Sequence, residues 1–110
     1  MQQISASQLK SWLDECAAGT RIKPQLVDIR EPWEFEVCRI PDARLMPMRS
    51  VPARLMELDR NADTVVICHH GARSYQVALF LEQQGFSQVL NLYGGVAAWA
   101  QQVDHTMPTY

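Results

Sequence analysis

Cys68 is followed by His69, His70, Gly71, Ala72, Arg73 and Ser74 in the stretch "VVICHHGARSYQVALF". The thiolate is the reactive form of cysteine and a potent nucleophile. An apolar run leads into this thiol, a short polar segment follows, and an apolar-periodic stretch comes next. That order predicts strand, turn and helix, with Cys68 at the carboxyl end of the strand. In open parallel sheets, sites form at those ends. N–H groups in such a turn, with the positive end of the helix, bind anions and would stabilise a thiolate. Gly71 lets the backbone turn tightly, and Arg73 adds positive charge if it folds toward the turn. An isolated cysteine is ordinarily a small core residue. Its position ahead of a Gly- and Arg-bearing turn makes Cys68 the candidate nucleophile.

The other chemistry-bearing residues are weighed against this one. The spacing is C-x4-R, from Cys68 to Arg73; a C-x5-R loop would indicate phosphatase chemistry around a larger ring of amides. His69 and His70 could contact substrate or tune the thiol, but neighbouring residues rarely converge on one metal. The plainer expectation is that both supply loop backbone and face solvent, with no metal site. Arg73 is a candidate for a substrate anion, or else is paired with a specific acidic group. Asp28 and Arg30 fall at a strand end and read as an internal ion pair, with Arg30 a secondary candidate for steering an anion. Cys16 and Cys38 complete the three cysteines. Cys16 reads as core and Cys38 as an unpaired small residue. No CxxC pair exists, so neither a zinc site nor a dithiol redox motif is indicated, and no cofactor is expected.

The elements that must position these residues follow from periodicity. Ser5 and Gln8 form a capping-box pattern ahead of Leu9, Trp12, Leu13 and Cys16 at helical spacing, with Gly19 as a stop. The predicted first helix covers about Ala6 to Ala18. "QLVDIR" (Gln25–Arg30) is a buried strand, and "EPWEFEV" is a short helix with Pro32 in its first turn. "DARLM" is a short strand or an extended connection. Ser50 is expected to cap a helix through Val51, Leu55 and Leu58. "DTVVIC" is the next strand, Ser74 to Gln84 a helix ended by Gly85, and "QVLNL" (Gln88–Leu92) a third buried strand. Gly94 and Gly95 turn the chain into a last helical face at Val96, Trp99 and Val103. The tail "DHTMPTY" has no strong pattern. Trp12 and Trp99 read as packing residues, whereas Trp33 could cover the site or only the sheet edge. Strands alternating with amphipathic helices give an α/β class with a mostly parallel sheet.

Composition narrows the functional classes. The 110 residues are 47% hydrophobic and 20% charged, with a net charge of -2. That balance suits one globular domain. It gives no electrostatic reason to expect nucleic acid or an anionic membrane. No apolar run approaches membrane-spanning length, and no secretory leader is read at the start. Free thiols in such a chain fit a reducing cytoplasm.

Three segments resemble a single-domain rhodanese, a sulfurtransferase. "LVDIREPWEF" is similar to the family's early strand and Asp-x-Arg segment, "CHHGARS" to its six-residue active-site loop (Cys68 to Arg73) followed by Ser74, and "LYGGVAAW" to its terminal G-G-x-x-A-W element. Order and spacing match over roughly Ile4 to Val103, which implies a single domain with a core over about residues 4–103 and a short C-terminal tail. The resemblance implies a three-layer fold with a mostly parallel central sheet flanked by helices. It implies that Cys68 takes the outer sulfur of a donor such as thiosulfate and passes it, as a persulfide, to cyanide, a thiol or a protein acceptor. The amides of His69 through Ser74 would hold the sulfur's charge. One family segment, glycine-histidine-(aliphatic)-proline-glycine-alanine, departs here to "CRIPDA": Cys38 and Arg39 replace the first two residues and Asp42 the second glycine. Two rival readings remain: a non-enzymatic persulfide relay or binding module, and a phosphatase or arsenate-reductase-like enzyme on the same fold.

Overall fold

Short apolar runs and amphipathic stretches alternate along the chain, and they fold as strands and helices in turn. The computed structural model describes residues 1–110. In chain order the elements are β1 (Gln2–Ile4), α1 (Ala6–Ala17), β2 (Gln25–Asp28), α2 (Pro32–Val37), β3 (Arg44–Leu45), two 3-10 turns (Met48–Ser50 and Pro52–Glu57), β4 (Asp63–Ile67), α3 (Ala72–Gln83), β5 (Gln88–Leu92) and α4 (Gly95–Gln102). The strands make one parallel five-stranded sheet in the order β1-β5-β4-β2-β3, flanked by helices. This is the expected α/β class with a parallel sheet. β4, which delivers Cys68, is the central strand.

Alternation along the strands sorts the core into two layers. Val65 and Ile67 of β4 pack with Leu9, Trp12, Val96 and Trp99 on the α1/α4 side of the sheet. Val66 and Cys68 point the other way and pack with Val77, Ala78 and Leu81 of α3. Each Val, Leu or Ile side chain among these stabilises the fold by roughly 1.5–3 kcal/mol when fully buried. The same period sends the Cys68 thiol toward the face that α3 covers.

Local chemistry explains the boundaries. Ser5 and Gln8 make the expected capping box, with Gln8 N donating to Ser5 Oγ at 3.1 Å and Ser5 N to Gln8 Oε1 at 2.9 Å. α2 begins at Pro32, and Glu31 N donates to Glu34 Oε1 at 2.9 Å, which ties the helix start together. In "CRIPDA", Asp42 takes the left-handed backbone (φ 69°) that a glycine would adopt there. Asp tolerates that region better than most residues, and its carboxylate pairs with Lys23 at 2.7 Å.

Two expectations require correction, and one further element appears. Ser50 does not cap an α-helix: its Oγ donates to Pro47 O at 2.7 Å, and the segment folds as two 3-10 turns. α3 starts at Ala72 rather than Ser74, because Gly71 (φ 102°) already turns the chain into helical geometry. β1 was not expected from the sequence. It is an edge strand of three residues whose first two side chains are exposed, so it carries no apolar run.

Candidate active site

The turn from β4 into α3 is anchored by its carbonyls. Val96 N and Ala97 N, in the first turn of α4, donate to the carbonyls of Cys68 and His69 at 3.0 and 3.1 Å. Gly95 (φ 60°) is required for this approach, since a Cβ there would overlap those same two oxygens. In a trans peptide the C=O and the following N–H point in opposite directions. With the carbonyls of Cys68 and His69 committed to α4, the N–H groups of His69 and His70 face away from it.

Two of the remaining amides bond the sulfur. Gly71 N donates to Cys68 Sγ at 3.1 Å and Ser74 N does so at 3.3 Å. Ser74 Oγ lies 3.2 Å from the same sulfur. That hydroxyl also donates to Asn91 Oδ1, and Asn91 Nδ2 donates to Gly71 O at 3.1 Å. The N–H groups of His69, His70, Ala72 and Arg73 make no hydrogen bond within the protein. For Ala72 and Arg73 this is the ordinary state of a helix's first turn. Cys68 itself is 1% exposed. The result is a buried sulfur held by two amides, in a turn whose other four amides have spare donor capacity. Such a nest stabilises negative charge on or beside Sγ.

Arg73 does not stand free over the turn. Its Nη1 and Nη2 donate to Glu34 Oε1 and Oε2 at 2.8 and 2.9 Å, a bidentate pair between α3 and α2. This is the specific acidic partner that the sequence left unnamed. Hydrogen bonds from Arg73 hold the Glu34 carboxyl down at about 2, outweighing the effect of burial; the Glu31 amide and the Tyr110 hydroxyl contribute in the same direction.

Arg30 is 0% exposed and forms the expected internal ion pair. Its Nε and Nη2 bond Asp28, Nη2 also reaches Cys38 O at 2.7 Å, and Nη1 reaches Glu34 O at 3.2 Å and Tyr110 Oη at 3.0 Å. These donors are committed to the protein, so the geometry is that of a bracket between β2 and α2 rather than an open anion site.

His69 and His70 differ in their surroundings. His70 is exposed, as expected, but His69 is half-buried in a three-ring stack. One face meets His70 at a centroid distance of 3.9 Å, and the ring lies against Tyr110 at 3.9 Å and 17°. Burial first, and the charge of His70 next, lower the His69 pKa, favouring its neutral form. Tyr110 donates to Glu34 Oε2 at 2.7 Å, and Trp33 meets its ring edge-on at 5.3 Å. Burial, together with the Glu34 carboxylate, pushes the Tyr110 hydroxyl up to about 12.

A cleft of about 220 Å³ runs beside the turn, lined among others by Cys38, His69, Val96, Ala97 and Tyr110. A larger hollow of about 540 Å³ lies elsewhere, between α1 and α4, and contains none of the turn residues. Size does not mark the site here; the converging donors do. No group of three or more His, Cys, Asp or Glu side chains converges closely enough to hold a metal ion. No helix is long and apolar enough to cross a membrane.

Glu34, Asn91, Gly95 and Tyr110 shape this site and were not singled out from sequence as site residues. For Glu34 a signal existed: it is the third residue of a capping box on a very short helix, which ties its carboxylate to one place. Tyr110 offered none, lying in a tail without periodicity.

Comparison with known proteins places this geometry. The model of the rhodanese-like domain family matches residues 5–102. A sulfurtransferase of Allochromatium vinosum is 48% identical over 83 residues, covering 76% of this chain and 75% of that protein. The thiosulfate sulfurtransferase GlpE of Pseudomonas aeruginosa is 41% identical over 75 residues, covering 68% of each chain. Among solved structures, a rhodanese-like domain protein from Staphylococcus aureus superposes with a TM-score of 0.81 at 33% identity, covering 90% of this chain and 91% of its own. Other curated relatives are longer, and the match spans less than a third of their length.

Proposed function

Because this chain belongs to the rhodanese-like domain family, we propose that it is a sulfurtransferase that carries sulfane sulfur on Cys68, with thiosulfate as a competent donor. The observation that carries the proposal is the nest itself: Sγ bonded by Gly71 N and Ser74 N, inside a turn whose other amides have no protein acceptor.

The chemistry is a two-step displacement. The Cys68 thiolate attacks the outer sulfur of thiosulfate, a new S–S bond forms, and the old one breaks with its electron pair on sulfite. Cys68 now bears an anionic terminal sulfur. The spare amides of His69, His70, Ala72 and Arg73 are the groups available to hold that charge. An acceptor nucleophile, a thiolate or cyanide, then attacks the terminal sulfur and Cys68 leaves as thiolate. No net oxidation or reduction of the protein occurs over the cycle, which is covalent catalysis of the ping-pong type. Arg73, tied to Glu34, fixes the far end of the nest. The three cysteines are free thiols, which suits the reducing cytoplasm in which we place the protein.

The test is an intact mass after incubation with thiosulfate. A gain of one sulfur, reversed by a thiol reductant and absent in Cys68→Ser, is expected. No adduct from thiosulfate or from any persulfide donor would overturn the reading. A relay fed and emptied by other proteins is the second reading, supported by 34% identity over 79 residues to the putative sulfur carrier protein YrkF of Bacillus subtilis. Multiple-turnover thiocyanate formation separates the two.

A further inference from the structure

We propose that Tyr110 is a size filter for reactants at Cys68, held over the turn by the strap Asp104–Tyr110 and displaced when a bulky thiol or protein acceptor enters. The proposal deepens the sulfur-transfer reading and rests on Cys68 being the reacting thiol.

The strap is built to return the chain to the site. Val103 N and Asp104 N both donate to Trp99 O, which ends α4. Asp104 Oδ1 then accepts from Thr106 N at 3.0 Å and Thr106 Oγ1 at 2.6 Å, forming a turn. Met107 is buried in the α1/α4-side core and anchors the segment. Pro108, Thr109 and Tyr110 follow along the cleft beside Cys38, Val96 and Gln101.

Tyr110 then makes contacts that no tail residue needs for folding the sheet. Its ring lies flat on His69, the residue after the nucleophile. Its hydroxyl sits between Glu34 Oε2 and Arg30 Nη1. Glu34 is the group that holds Arg73 at the other end of the turn. One side chain therefore touches both ends of the nest, directly at His69 and through Glu34 at Arg73.

The latch is releasable. Tyr110 remains 37% exposed and is held by one stacking contact, one edge contact, the Arg30 guanidinium 5.9 Å from its ring centroid and two hydrogen bonds. The strap behind it has no helical or strand hydrogen bonds to break. Glu34 and Arg30 keep Arg73 and Asp28 as partners when Tyr110 leaves. A small anion needs little room beside Sγ, whereas an acceptor cysteine on a peptide or protein must bring its own backbone close to a sulfur that is 1% exposed. Lifting Tyr110 widens the cleft at the nucleophile's neighbour without disturbing β4 or α3.

The experiment measures alkylation of Cys68 in the full chain by iodoacetamide and by a fluorescein maleimide, resolved by peptide mass mapping from Cys16 and Cys38. If the open strap is a minor state of a few per cent, Tyr110→Ala accelerates the bulky reagent at Cys68 by about tenfold or more and the small one by less than about threefold. Tyr110→Phe, which keeps the stack and loses the hydroxyl latch, falls between. Equal acceleration of both reagents, or none with the bulky one, overturns the filter. Far-UV circular dichroism confirms that each variant is folded. Alkylation needs no sulfur donor, so a filter that works in a protein that thiosulfate fails to load separates this proposal from the sulfur-transfer reading.

Discussion

Arg73 and Glu34 form a bidentate ion pair, with N–O distances of 2.8 and 2.9 Å, that joins the first turn of α3 to α2. A loop whose amides face a reactant needs a fixed far end, and this pair supplies it. Glu34 is nearly buried while Arg73 is 38% exposed, so the pair combines the specificity of fork-to-carboxylate geometry with partial screening by water.

The pair makes stability depend on pH in a defined window. The Glu34 carboxyl lies at about 2 in the folded protein against an ordinary value of 4.5. A depressed carboxylate stabilises the fold above its unfolded value, and that contribution is lost as pH falls from about 4.5 to about 2. Its size is about 3 kcal/mol before, and about 2 kcal/mol after, allowance for the exposure of Arg73. Urea unfolding of Glu34→Gln is therefore expected to show a loss of about 2 kcal/mol at pH 7. The variant and the wild type converge below pH about 2, where the carboxyl is protonated in both states. A parallel pH dependence in the two proteins would contradict the assignment.

Gly95 tests the anchoring of the turn. A Cβ at this position meets the backbone oxygens of Cys68 and His69, which cannot move without dragging the Cys68 turn. Gly95→Ala is expected to cost about 3 kcal/mol or more and to abolish sulfur loading. Gly19→Ala is the control: its φ is also positive, at 79°, yet nothing lies within 4 Å. It should cost only about 1 kcal/mol and leave loading intact. Similar thermal shifts in the two variants would show that backbone conformation alone, not the approach of α4, sets the requirement at Gly95.

What sequence could show of this site follows the range of the interactions. Cys68, its turn and the strand before it are contiguous, so apolar runs and residue types reveal them together. The Asp28–Arg30 pair is separated by one residue and was legible for the same reason. Tyr110 meets Arg30 across 80 positions and Glu34 across 76, and no local pattern encodes such a contact. β1 was missed because an edge strand needs only one buried side chain, Ile4, and satisfies its backbone through β5. Ser50 was misread because a Ser before an apolar run suits an N-cap, whereas its hydroxyl bonds backward to Pro47 O.

Ser74 is expected to contribute to reactivity as well as to the fold. Its hydroxyl, 3.2 Å from Sγ, gives its one proton to Asn91 Oδ1 in this structure, and that proton is expected to turn to the sulfur when the thiolate forms. Ser74→Ala removes a polar neighbour of the sulfur while leaving the Ser74 amide in place. Stability should fall by about 1 kcal/mol, since Asn91 Oδ1 loses a donor. Persulfide formation from thiosulfate, followed by stopped mass measurements at fixed pH, should slow by about tenfold. An unchanged rate would assign the charge stabilisation to the amides alone.

Arg30 is expected to matter through architecture. Its guanidinium joins Asp28 at the end of β2 to the carbonyls of Glu34 and Cys38 in and after α2, and to Tyr110. Lysine carries the charge but offers one ammonium in place of a planar fork, so it cannot reach Asp28 and both carbonyls together. Arg30→Lys should therefore lose about 2–4 kcal/mol. Arg30→Met leaves Asp28 buried without a counter-charge and should lose about 3–5 kcal/mol. Adding Asp28→Asn to Arg30→Met removes the stranded charge, so the double variant should be more stable than Arg30→Met alone in urea unfolding. If instead the two losses simply add, Arg30 and Asp28 act independently and the bracket between β2 and α2 does not operate as a unit.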